Sequence, residues 1–182
     1  MAAAALAIFA TISRNRSILI VSLSVAATAI LGDAMTDRET IRTLISQGYD
    51  ARSRGDIEGI LALFHPDAKF ELAGSKTHSS SAGSAQGHAE LRTTLAGLIS
   101  AFEFVQRVVV NIIIENERAA VHSRVQLRFV PKDKTVATDL IDLWKFENGK
   151  VVELVEFVDT ALVNDLMRGS ACRSYFLLTY RS

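Results

Sequence analysis

Apolar residues recur at helical spacing through Ile41, Leu44, Ile45 and Tyr49, which predicts an amphipathic helix ending near Gly55. Thr36 or Asp37 can cap its start, with Glu39 or Thr40 in the first turn. Asp56 can cap a second helix whose apolar face is Ile57, Ile60, Leu61 and Phe64. Pro66-Asp67 stops that helix, and "AKFEL" reads as a short strand. Ala73 to Gly87 is rich in Ser, Gly and Ala, which predicts a mobile loop; no second core follows it, so it is no interdomain linker. "HAELRTTLAGLISAF" gives a third helix. Beyond it the period changes to two. Four strands are predicted, Glu103 to Glu115, Ala119 to Val130, Thr135 to Phe146 and Lys150 to Asp159. Asn116-Glu117, Pro131 to Lys134 and Asn148-Gly149 mark their turns. Helices followed by an antiparallel meander make an α+β plan, with the helices on one face of a curved sheet and a cavity between the layers.

Composition adds limits to this plan. The chain has 182 residues, enough for one domain with an appendage. Lys+Arg and Asp+Glu are 20 each, so no basic stripe points to a nucleic acid. The lone Cys172 cannot form an internal disulfide. Residues 1–34 hold "RNR" and then the apolar run Ser17 to Leu31, with Ala27-Thr28-Ala29 after its centre. Charge, a short apolar run and small residues together have the form of a secretory signal. The run is short for a membrane span, though it could act as an uncleaved anchor. Met35 opens an equally plausible start. Two localisations therefore stay open: exported or anchored with residues 1–34, cytoplasmic from Met35. A membrane is a partner only in the anchored case.

The stretches "GYDARSRGDIEGILALFHPDAKFEL", "GHAELRTTLAGL" and "DLWKFENGKVVELVEFVD" resemble the SnoaL-like members of the nuclear transport factor 2-like superfamily. Its relatives include ketosteroid isomerases, limonene epoxide hydrolases and polyketide cyclases. The resemblance covers residues 35–167 and leaves 168–182, with "YFLLTY", as a tail without a match. It implies a cone-shaped α+β fold, three N-terminal helices on a curved and mostly antiparallel sheet, and a homodimer through the outer face of that sheet. It implies a small hydrophobic ligand and no cofactor. Fold alone does not fix activity, which has to be argued from the site.

Residue by residue, the enzyme patterns are broken. The isomerase base after "AxxxE" in the first strand falls on Leu72, and its helix-one Tyr falls on Gly48, beside Tyr49. Its second, protonated Asp falls on Asp142. The epoxide hydrolase Arg-x-Asp becomes Arg124-Val125-Gln126, and its second Asp falls on Glu156. Asp142 lies on an apolar strand face with Leu140, Trp144 and Phe146, and Glu156 on one with Val152, Leu154 and Val158. The turn "ENGK" decides whether these faces coincide. Asn-Gly favours a two-residue turn that pairs Glu147 with Lys150 and separates the carboxylates. Hydrophobic register favours a three-residue loop that pairs Phe146 with Lys150 and unites them; that reading is adopted. Asp142, Glu156 and Arg124 are then the candidate catalytic cluster, with Asp142 expected to stay protonated as a donor unless Arg124 lies close enough to pair with it. Tyr49, Phe70, Leu72 and Trp144 are candidate ligand contacts. His65, His78, His88 and His122 show no metal-site spacing, so no metal is expected. Two readings stay open: a cofactor-free isomerase, lyase or hydrolase acting on a polyketide-, steroid- or terpenoid-like molecule, or a non-catalytic ligand-binding or dimerisation module.

Overall fold

A computed structural model describes residues 36–74 and 83–168, all within one compact unit, Asp33–Ser182. The apolar N-terminal segment, the loop residues 75–82 and the tail from 169 lie outside the described residues, as do the expectations attached to them. Helix α1 (Arg38–Arg54) starts at Asp37, whose carboxylate accepts from the Glu39 and Thr40 amides at 2.9 Å. It stops at Gly55, whose φ of 69° gives the left-handed ending that glycine adopts without strain. Asp56 caps α2 (Ile57–Leu63) through the Gly59 amide at 2.8 Å. Strand β1 (Phe64–Leu72) follows at once, so helix two ends before Pro66-Asp67 rather than at it. A short strand β2 (Gly83–Gln86), absent from the sequence reading, precedes α3 (Gly87–Ala101).

The long strands are β3 (Phe102–Glu115), β4 (Arg118–Phe129), β5 (Lys134–Glu147) and β6 (Lys150–Phe157). A fourth helix, α4 (Thr160–Met167), closes the described chain and buries Val163, Leu166 and Met167. Its period is too short for a pattern to stand out in the sequence. The sheet order is β2-β1-β6-β5-β4-β3. Every pair is antiparallel except β1 with β6, which run parallel. The fold is thus α+β, four helices on a curved six-stranded sheet, as expected apart from the extra helix and strand.

The β5–β6 turn corrects one expectation. Glu147 pairs with Lys150 across a two-residue Asn148-Gly149 turn, both residues at positive φ (50° and 71°). This is the turn that Asn-Gly chemistry favours. A bulge between Lys145 and Phe146 then shifts the register, so that Phe146 faces Val151 and Lys145 faces Glu153. One extra residue in β6 satisfies both the turn and the burial of the apolar face. The three-residue loop would have set Asp142 opposite Leu154; the bulge sets it opposite Glu156.

Candidate functional site

One row of residues crosses the inner face of the sheet: Leu72 on β1, Glu156 on β6, Asp142 on β5 and Val121 on β4 are direct lateral partners. The neighbouring row is Phe70, Leu154, Trp144 and Ala119. These rows floor a cavity roofed by α1 and α3, with Tyr49, Leu91, Leu95 and Leu98 among its walls. Within it the centre of a water-sized sphere can range over about 80 Å³. That is several times the roughly 10–15 Å³ needed for one water. The side chains of Phe70, Leu72 and Trp144 therefore line the space without filling it.

Into this apolar space project two carboxyl groups and two guanidinium groups, from Asp142, Glu156, Arg52 and Arg107. Asp142 is 1% exposed. Its Oδ2 accepts from the Tyr49 hydroxyl at 2.6 Å and from Arg107 Nη1 at 3.0 Å. Arg107 Nη1 also donates to the buried Ser123 hydroxyl at 3.3 Å, on the strand between them. The guanidinium lies 4.1 Å from the Tyr49 ring centroid and 4.5 Å from that of Phe104. Such a buried pair persists because hydrogen bonds and aromatic faces satisfy it. Among the described residues no donor is placed on the buried opposite oxygen, Asp142 Oδ1.

Burial pushes the Tyr49 phenol upward, and the Asp142 charge pushes it further, so Tyr49 stays a donor. Among the described residues no guanidinium is in ion-pair contact with Glu156. Burial raises its carboxyl to about 7, and Asp142 adds to this by repulsion and by favouring a hydrogen bond from the protonated form; Arg107 and Arg52 oppose it. Arg52 is lowered to about 10, first by burial and then by Arg107, with Glu156 opposing. Its Nη2 donates to the carbonyls of Leu98 and Phe102 at 3.3 and 2.9 Å.

Of the expected site residues, Asp142, Glu156, Tyr49, Phe70, Leu72 and Trp144 come together in this cavity. Arg124 does not. On β4 the apolar positions Val121, Val125, Leu127 and Phe129 are buried, which turns Arg124 to the opposite face. There it is 67% exposed and bonds Asp139 at 3.1 Å, beside His122, whose Nε2 is 3.3 Å from the same carboxylate. Arg107 takes the place foreseen for Arg124. Asp142 Oδ2 is correspondingly an acceptor for two donors, Tyr49 and Arg107. Arg107 was hidden because β3 carries bulges between Phe104 and Gln106 and between Val109 and Asn111. Strict alternation from the inward Phe104 would have turned Arg107 outward. Among the described residues no three His, Cys, Asp or Glu side chains cluster as a metal site would.

A cone of helices on a curved sheet, with ionisable groups at the floor of an apolar cavity, defines a class of small pocket-bearing α+β domains. The SnoaL-like domain family matches residues 45–154, and the chain belongs to that family. Solved structures share the fold. A nuclear transport factor 2-like protein of unknown function from Burkholderia pseudomallei is 21% identical, with TM-score 0.63 over 71% of this chain and 98% of that one. TerC, co-crystallised with polyporic acid, is also 21% identical, with TM-score 0.62 over 71% and 99%. A limonene epoxide hydrolase-like enzyme from M. tuberculosis is 17% identical, with TM-score 0.56 over 72% and 91%. No curated protein matches the chain.

Proposed function

We propose that the cavity binds a small hydrophobic, oxygen-bearing molecule of polyketide, steroid or terpenoid kind, and that Glu156 moves a proton on it. The observation that carries this reading is Glu156 facing Asp142 across β5–β6 in an otherwise apolar cavity. A carboxyl near 7 is close to the optimum for general acid–base work at neutral pH. Leu72, where the isomerase pattern has its base, is the lateral neighbour of Glu156. The acid is displaced by one strand, so the chemistry differs from ketosteroid isomerisation, which is expected to be absent. Burial first, and then the facing Asp142 fixed by Tyr49 and Arg107, keep the proton on Glu156. Charge developing on a substrate oxygen is met by Arg52 and Arg107. No cofactor is required for such isomerisation or hydrolysis.

The second copy implied by the resemblance has a surface suited to it. Val108, Ile113, Ile141, Leu143 and Phe157 are exposed, Ile113 to 62%. A homodimer through this outer face covers them. Light scattering of wild type and of Ile113→Glu with Leu143→Glu tests it; a wild-type monomer contradicts it.

The activity is tested with a panel of hydrophobic ketones and epoxides in D₂O or H₂¹⁸O. Mass spectrometry reads deuterium at carbons α to carbonyls and ¹⁸O in opened epoxides. Wild type accelerates incorporation for at least one class and Glu156→Gln does not. Equal rates for both proteins, or no acceleration across the panel, leave a ligand-binding module without chemistry.

A further inference from the structure

The four ionisable groups of the cavity, two carboxyl and two guanidinium, balance only when Glu156 is ionised. Arg107 is matched by Asp142 at 3.0 Å, with side chains 8% and 1% exposed. Among the described residues Arg52 makes no ion pair; it is held by backbone carbonyls, and its guanidinium lies 4.8 Å from the Phe104 centroid, a ring that Arg107 also stacks on. With Glu156 protonated and Asp142 engaged by Arg107, no carboxylate of the cavity is left to match Arg52, whose positive charge faces an apolar space. An unpaired charge in such a space is costly, and one anion relieves it. Glu156 can supply that anion only by ionising beside Asp142.

We infer that the cavity takes a monoanionic hydrophobic ligand, a carboxylate or enolate-type oxygen on an apolar skeleton, with the charged oxygen on Arg52. This rests on the proposed binding function of the same cavity and names the class of molecule. The ligand's charge replaces the one Glu156 would otherwise supply, so binding keeps Glu156 protonated and takes up a proton above neutral pH. The groups facing Glu156 are Asp142 from β5, Arg107 from β3, and Arg52 and Tyr49 from α1. The other lining elements offer apolar side chains: Phe70 and Leu72 from β1, Leu91, Leu95 and Leu98 from α3, and Val163 from α4. A bound anion thus meets one unmatched cation and one titratable acid.

The test uses the full chain with 2-naphthoate and its neutral analogue 2-naphthamide. Titration calorimetry at pH 7.5, in two buffers of different ionisation enthalpy, reads affinity and proton uptake. The naphthoate is expected to bind at least about tenfold tighter than the amide, with proton uptake that disappears in Glu156→Gln. Arg52→Gln is expected to erase the preference. Because Arg52 also ties α1 to two carbonyls, a second readout needs no variant: saturation with naphthoate moves the Glu156 carboxyl titration upward by about one pH unit or more. Binding of the amide as tightly as the naphthoate, or an unmoved Glu156 titration at saturation, overturns the anion class while leaving the binding function standing. A folded protein that binds neither probe overturns both.

Discussion

Glu156→Gln makes the strongest quantitative demand on this description. In the unfolded chain the carboxyl titrates at its ordinary value of 4.5, and in the folded protein it is raised to about 7. Between these values the folded state holds a proton that the unfolded state releases. Stability from this group is therefore fully present below pH 4.5 and is lost as pH rises through about 7. The whole change amounts to roughly 3 kcal/mol. Glutamine keeps the shape and does not titrate. Urea unfolding of both proteins at pH 5, 6, 7 and 8 isolates the contribution, because other groups cancel in the difference. At pH 5 the variant is expected to lie close to wild type. By pH 8 it is expected to be more stable by about 3 kcal/mol. Parallel profiles, or a wild type that gains on the variant as pH rises, refute the placement of Glu156 in the apolar cavity beside Asp142.

Asp142→Ala leaves Arg107 buried without its counter-ion and is expected to destabilise the fold by about 3–5 kcal/mol; chemical denaturation reads this, and Asp142→Ala with Arg107→Met is expected to be less destabilised than Asp142→Ala alone. Tyr49→Phe removes the 2.6 Å bond to Asp142 and is expected to cost about 2 kcal/mol by the same assay, as for a hydrogen bond to a charged acceptor. Gly149→Ala meets no atom within 4 Å at φ +71°, so its cost in thermal unfolding is purely that of the left-handed backbone, about 1–2 kcal/mol.

Much of this architecture is legible in the chain because periodicity and caps act locally. Asp37, Gly55 and Asp56 mark helix ends by hydrogen bonds that span only a few residues, and the long strands announce themselves by alternation. The site is legible where a polar residue interrupts an apolar face, which is how Asp142 and Glu156 stand out. It is illegible where alternation breaks. Two bulges in β3 turn Arg107 inward, and the bulge at Lys145–Phe146 sets the carboxyls opposite each other although the turn itself has two residues. Arg124 misled because an arginine beside valine on a central strand carries no mark of which face it takes. Only the buried set Val121, Val125 and Leu127 fixes that. Arg52 reads as one more polar position of α1 until the fold lays Leu98 and Phe102 against it.

Burial and the facing Asp142 hold the Glu156 carboxyl raised to about 7 inside the cavity. Carboxyl ¹³C NMR of the full chain labelled at glutamate, with Glu156 assigned by its loss in Glu156→Gln, follows that group directly through a pH titration. The midpoint is expected at about 7. A midpoint near the ordinary value of 4.5 would contradict this.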